Sequence, residues 1–566
     1  MKRGKKGKSV ELARGNSTAL GVKTATALAV LSGVLYFLAF PGIGIWPLSF
    51  VALAPLFVAL EGQSARRATW LGWAAGFTMT MLGFYWLLDM LETFSGFGAP
   101  LCLVFTAILC GYQAGRFALL GWLHGRITAR GYPGALAFAL GFAASEQAFP
   151  LLFPWSYSAT VHQVPALTQI AELGGPILVA LPIVAANIAL AQIWLIRRSR
   201  GGLAWRRLLP LLAAPAVSAA YGALRIPAVD AAVAAAPKGR VGLVQANMSL
   251  FGKRHNKGEG LRRHVELTRK LTAAGKLDLA IWSETSVMSA MQEEELDSVV
   301  PGLFATSLHV PTLFGGVIYK EVDDARKYVL YNSALLSDDH GHVVGRFDKQ
   351  RLVMFSESMP FGETFPVLYE ISPNSGKFVP GTRFDPLTEG QHQIATIICY
   401  EDIIPGFVNR IVNNGDPDLL ANLTNDAWFG DTTEPWIHLA LAELRAIEHR
   451  RYFVRSTNSG VSAIIDPVGR VVAHTQTFRE EALAGEVAWL HSHTVYEALG
   501  DVPWWLLSLV TLVLAFAPRR AQKPQDAPVA TGPVARDGGD TMSEVWRQKA
   551  RAWFARESGG SRTNGE

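Results

Sequence analysis

Only three cysteines occur in the 566 residues, and just 17% of the chain is charged. The shortage of cysteine excludes a disulfide-stapled fold: Cys102 and Cys110 share one apolar stretch, and Cys399 has no obvious partner. The shortage of charge excludes a mainly solvated chain, because half of the residues are hydrophobic and the mean hydropathy is positive. No phosphate-cradling glycine loop appears, which argues against nucleotide-driven transport, and no internal repeat of useful length is visible. The 13 histidines show no ligand spacing: His340 and His342 read as turn residues, and His438 and His449 fall on one helix. No metal and no cofactor is therefore expected. The net charge of +5 is not spread along a polar face, since the basic residues cluster beside apolar runs, so nucleic-acid binding is excluded as well.

What is present is long apolar sequence. A hydrocarbon core of about 30 Å needs roughly 20 helical residues, and seven runs approach that length before residue 230: Thr24–Phe40, Trp46–Leu60, Thr69–Leu91, Pro100–Leu123, Pro133–Phe153, Pro176–Ile196 and Leu208–Leu224. An eighth, Val502–Ala517, carries Trp504 and Trp505 as an interfacial anchor. Basic residues precede the first run, yet no small-residue cleavage site follows it, so it reads as a retained helix. Lys and Arg are absent from the loops Pro41–Ile45, Glu92–Ala99 and Ser156–Gly174. They crowd instead into the N-terminal tail, Arg66-Arg67, the loop with Arg126 and Arg130, Arg197–Arg207 and the tail from Arg519. Because cytoplasmic loops are enriched in these residues, this alternation predicts both termini inside and the block between the seventh and eighth helices outside. Arg116 and Glu146 on two of the helices are expected to face the bundle or a wet cavity, since lipid exposure is costly.

The expected domains are a basic tail (1–23), a seven-helix membrane domain (24–228), an extracytoplasmic catalytic domain (229–501), the eighth helix (502–518) and a disordered cytoplasmic tail (519–566) with a short helix near Met542–Arg556. The outer block has α/β grammar. Short β-branched runs at Val241–Gln245, Leu277–Trp282, Thr312–Tyr319, Val329–Leu336 and Gln393–Ile398 alternate with helical stretches, notably Thr433–Tyr452. Three reactive groups follow strands: Glu284, Lys349 and Cys399. A thiol is barely ionised at neutral pH, so a nucleophilic cysteine needs a base such as Glu284. Lys349 could hold the oxyanion formed when a carbonyl is attacked.

Trp282-Ser-Glu284, Asp348-Lys349-Gln-Arg-Leu-Val353, Cys399-Tyr400-Glu401 and Asn425-Asp-Ala-Trp-Phe-Gly430, in this order, resemble the nitrilase superfamily of carbon–nitrogen hydrolases. Seven apolar runs before this block and one after it are similar to the superfamily's membrane branch of lipoprotein N-acyltransferases. Phe153-Pro-Trp155 and Arg455-Ser-Thr-Asn458-Ser-Gly460 extend the likeness. The resemblance implies an eight-helix membrane domain joined to an α-β-β-α sandwich, set as a monomer in the bacterial inner membrane with the sandwich in the periplasm. It implies Cys399 as nucleophile, Glu284 as general base and Lys349 as oxyanion stabiliser, supported by Glu357, Tyr400 and Glu401. Trp155, Val353, Met354, Phe355, Asn425 and Trp428 would line the entry or lid. The implied partners are a phospholipid acyl donor and a diacylglyceryl lipoprotein acceptor, joined through a Cys399 thioester.

The run Leu352, Val353, Met354, Phe355, Met359 and Phe361 reads either as an apolar lip or as core packing. Asp426 and Trp428 either steady a turn or touch substrate. Ser283 and Met354 stand where the family usually has proline, and Ser356 where it has glycine; none removes a titrating group. A membrane-tethered amidase acting on a soluble amide is the alternative, disfavoured because it needs an anchor rather than seven helices.

Overall fold

The computed structural model describes residues 19–518, except 200–201, 204, 250–255, 305–307, 324–326, 355, 360, 363 and 372–375. Most of the basic N-terminal tail, the whole C-terminal tail with its expected short helix, and Phe355 lie outside the described residues.

All eight apolar runs are helical, but they are not eight equal spans. Val22–Ala39, Ala99–Thr128, Ala171–Arg198 and Trp205–Ala235 are long and apolar enough to cross a membrane. A fifth span exists if Ala65–Gly83 and the helix from Trp86, bent by 62° where they meet, are taken together. Trp46–Leu60 is instead three short pieces, because Pro47 and Pro55 each sit in the first turn of a new helix. Gly134–Ala148 and Val502–Phe516 have 15 residues each, about 22 Å at 1.5 Å per residue. The helix Trp205–Ala235 continues past Leu224 and delivers the chain directly to the first strand.

The helices Ala65–Gly83 and Gly115–Thr128 approach backbone to backbone, since a Cβ on Gly72 would strike the Phe117 carbonyl and one on Gly121 the Ala68 carbonyl. Close packing of this kind holds helices together where lipid removes the hydrophobic drive. Arg116 and Glu146 pair at 3.2 Å inside the bundle, and Arg116 also donates to the Trp155 carbonyl at 2.6 Å. The expectation that both face inward is met.

Among the described residues the α/β part contains thirteen strands: β1 (Lys238–Gln245), β2 (Leu279–Trp282), β3 (Val287–Gln292), β4 (Thr312–Asp323), β5 (Lys327–Ser337), β6 (Val343–Asp348), β7 (Leu387–Glu389), β8 (His392–Ile398), β9 (Leu419–Thr424), β10 (Tyr452–Thr457), β11 (Ala463–Ile465), β12 (Val471–His474) and β13 (Glu481–Ala488). They form two mixed sheets. One runs β13-β1-β2-β4-β5-β6, with β3 also paired to β4; the other runs β12-β11-β10-β9-β8-β7. Val241, Leu243 and Ile281 from the first sheet interlock with Ile397, Leu420 and Phe453 from the second, which puts the main core between the sheets. Helix Lys257–Ala273 covers the outside of the first sheet, as Leu267 packs with Val244 and Trp282. Helices Pro405–Gly415 and Glu434–His449 cover the second. The layers are therefore α-β-β-α. β9 and β10 are buried along their whole length and carry no alternating pattern, which is why their sequences do not announce strands.

The sandwich is fastened to the helices by buried polar contacts. Arg450 donates to Glu172 at 2.8 Å and to the Gln169 side chain at 2.6 Å, Arg225 reaches Glu172 from its own helix at 2.7 Å, and His162 lies 3.1 Å from Glu443. Phe429 meets Trp86 edge-on, with ring centroids 5.0 Å apart. These contacts set the loop after β9, and with it the Cys399 end of the second sheet, against the helical bundle.

Candidate active site

Glu284, Lys349 and Cys399 come off the ends of β2, β6 and β8, where neighbouring strands hold the backbone and the side chains project beyond the sheets. The Lys349 ammonium lies 2.9 Å from Glu284 and 3.0 Å from Glu357, and it is 1% exposed. Burial pushes this ammonium toward neutrality, but the two carboxylates outweigh it and raise its pKa well above the ordinary lysine value. Lysine therefore stays charged. Three carboxylate oxygens surround it, one from Glu284 at 2.9 Å and both from Glu357 at 3.0 Å.

Cys399 has φ +56°, in the left-handed region where a side chain costs about 1–2 kcal/mol. Two hydrogen bonds and its place in the chain hold it there. Its carbonyl accepts from Asn422 at 2.9 Å, the preceding N–H of Ile398 donates to Glu401 at 2.9 Å, and the residue opens the short helix Cys399–Ile403. Burial, first, and the Glu284 carboxylate, second, push the thiol pKa well up, against the opposing pull of Lys349 and a hydrogen bond with Thr424. At rest it is a protonated thiol in electrostatic reach of a carboxylate and an ammonium. Gly315 on β4 makes room for Glu284, because a Cβ there would collide with the Glu284–Thr285 backbone.

Glu401 joins the lysine loop to the cysteine strand: one oxygen accepts from the N–H groups of Gln350 (2.7 Å) and Arg351 (2.8 Å), the other from Ile398. Burial raises its pKa to about 7, although the three backbone donors and Lys349 oppose it. Between about pH 4.5 and 7 the folded chain thus keeps a proton that the unfolded chain has released, so this group's contribution to stability falls as pH rises through that window. We expect the melting midpoint of wild type, measured against Glu401→Gln, to lose ground from pH 4.5 to pH 7; parallel curves would contradict this assignment.

Sequence reading missed Asn332. From the middle of β5 its amide donates to Glu284 and to Glu357, both at 2.7 Å, so one side chain sets the spacing of the two carboxylates. Nothing in the strand pattern marks it, since alternation shows which residues are buried and not which reach the site. Asn332→Asp would put a third carboxylate around one ammonium. A buried polar mismatch costs roughly 1–3 kcal/mol and more when charged, so initial-rate assays should show kcat/KM at least about tenfold lower, with wild-type rates contradicting the role.

The remaining expected residues are spread more widely. Glu357 also accepts from the Val353 N–H at 2.8 Å, and the Tyr400 hydroxyl donates to the Leu352 carbonyl at 3.2 Å. Met354 and Phe361 are exposed, while Leu352, Val353, Met359 and Trp428 are half-buried. Asn425 is buried, accepting from Asn458 at 3.0 Å. Trp155 is only 4% exposed, deep among the helices, with the Arg116 guanidinium 3.5 Å above its ring and Phe117 stacked near it. Behind Cys399, Arg455 bonds Asp402 at 2.6 Å and Asp426 at 3.0 Å, and His438 lies between the same two carboxylates. Asp426, Glu434 and His438 are close enough to suggest a metal triad, but the arginine's permanent charge already occupies the position of the cation.

A buried thiol thus stands at one end of an α-β-β-α sandwich with a carboxylate and a lysine, and the sandwich is joined to apolar helices. Residues 240–489 match the carbon-nitrogen hydrolase family model, and residues 32–189 match the apolipoprotein N-acyltransferase N-terminal domain. Apolipoprotein N-acyltransferase of Geobacter metallireducens is 32% identical, covering 87% of this chain and 95% of the relative. Those of Azotobacter vinelandii (33%; 88% and 96%) and Pseudomonas putida (31%; 86% and 95%) are similar over the same extent. The chain belongs to the apolipoprotein N-acyltransferase family.

Proposed function

We propose that this enzyme, an acyltransferase that N-acylates lipoproteins, takes its acyl chain from a phospholipid and carries it as a thioester on Cys399. Glu284 accepts the thiol proton while the sulfur attacks the ester carbonyl, and the positive charge of Lys349 stabilises the oxyanion. Collapse of the tetrahedral intermediate expels the lysophospholipid, whose oxygen takes the proton back from Glu284. The α-amine of a diacylglyceryl-cysteine N-terminus then attacks the thioester, again giving its proton to Glu284. Thiolate leaves, recovers that proton, and the amide product is complete. The observation that carries this reading is the buried Lys349 ammonium, fixed by Glu284 and Glu357, at the same end of the sheets as a buried thiol.

Glu357 and Glu401 keep this geometry, and Tyr400 braces the loop after Lys349. Met354 and Phe361 supply apolar lips over the bilayer, with Val353, Trp428 and Asn425 behind them and Trp155 bracing the bundle below. Excluding water protects the thioester from hydrolysis. The protein works as a monomer in the bacterial inner membrane, with eight crossings in segments 24–228 and 502–518. Its catalytic domain, 229–501, is periplasmic and both tails are cytoplasmic.

The test is to incubate the full-length protein in detergent with phospholipid and a synthetic diacylglyceryl-cysteine peptide, and separately with a soluble amide. The expected result is a peptide heavier by one acyl chain and no ammonia from the amide. Amide hydrolysis without acyl transfer would overturn the reading and favour the amidase.

A further inference from the structure

At the opposite end of the second sheet from Cys399, four segments bring histidines and carboxylates together around one buried arginine. Arg451 bonds one oxygen of Asp416, and it reaches one oxygen of Glu497, Oε2, at 3.1 Å. The other oxygen of each carboxylate is turned outward: Asp416 Oδ2 lies 3.2 Å from His491 Nδ1, and Glu497 Oε1 lies 3.2 Å from His493 Nδ1. One ligand atom from each of Asp416, His493 and Glu497 fits within 4.8 Å of the other two. Asp418, 2.7 Å from His491, adds a third carboxylate. The patch therefore carries three carboxylates against one arginine, a deficit that a dication would cancel.

We propose that Asp416, His493 and Glu497 form a surface site for a divalent cation of the zinc class, with solvent as the fourth ligand. Mixed imidazole and carboxylate ligands favour zinc over magnesium or calcium, which take oxygen almost alone. The donors are ready for it. Arg451 orients both carboxylates from behind, as outer-shell partners of metal ligands do. Access is open, because His493 is 77% exposed at its side chain. The comparable trio Asp426, Glu434 and His438 is buried, and both Asp426 oxygens are held by Arg455, whereas Asp416 and Glu497 each give Arg451 one oxygen. A bound ion would pin the turn after helix Pro405–Gly415 to the segment that leads into the last helix, Val502–Phe516.

Full-length, untagged protein in detergent, stripped with a chelator, is titrated with zinc chloride by calorimetry at pH 7.5, with and without magnesium in excess. One saturable equivalent that magnesium does not displace is expected, together with a higher melting midpoint. His493→Ala should weaken binding at least about tenfold and abolish the thermal shift. His340→Ala, an exposed histidine in the turn between β5 and β6, should change neither. No saturable binding, equal affinity in His493→Ala, or equal loss in His340→Ala would overturn the proposal.

Discussion

Cys399→Ala should end acyl transfer, lowering kcat/KM by roughly four orders of magnitude or more, the scale seen when a covalent nucleophile is removed. The fold should survive. Cys399 is 9% exposed, its left-handed backbone is fixed by Asn422 and by the Glu401 bond to Ile398, and none of those contacts uses the sulfur. A merely structural cysteine predicts the reverse pattern, with a lower melting midpoint and near-normal turnover. The two quantities measured on one preparation therefore separate the roles.

Lys349→Met has a different signature, because in the proposed mechanism the lysine stabilises the oxyanion as well as neutralising the charge of the site. Without it, Glu284 and Glu357 face one another across Asn332 with no cation. Breaking a buried ion pair by removing one partner costs about 3–5 kcal/mol, so the melting midpoint should fall clearly. Loss of an oxyanion donor alone costs about 10²–10³ in rate. Adding Glu357→Gln to Lys349→Met should recover part of the stability while activity stays lost, since the surplus carboxylate is gone but the oxyanion still lacks its donor. Recovery of activity in the double variant would show that lysine serves only to balance charge.

How much of this was legible in the sequence depends on how local each signal is. Glu284, Lys349 and Cys399 each end a strand within a distinctive run of residues, so their convergence could be expected before any coordinates. Asn332 could not, because it lies mid-strand in β5 and matters only through the two carboxylates it bridges. The cluster of Asp402, Asp426, His438 and Arg455 was equally hidden: its members are separated along the chain and look like surface residues until β10 and helix Glu434–His449 bury them. The apolar runs showed where helices form but not how long each is. Pro47 and Pro55 divide Trp46–Leu60, and the bend before Trp86 divides Thr69–Leu91, features that hydropathy averages away. Trp155 illustrates the same limit, since a family position shows that an aromatic is wanted and not that Arg116 will cover it.

The central claim is the acyl thioester, and the most direct measurement is the mass of the Cys399 peptide. Wild-type protein incubated with phospholipid alone should yield that peptide heavier by one fatty-acyl chain, labile to hydroxylamine, and adding diacylglyceryl-cysteine peptide should return it to its original mass. Acyl transfer proceeding at full rate while the Cys399 peptide never gains mass, or an adduct that the acceptor does not discharge, would contradict the account.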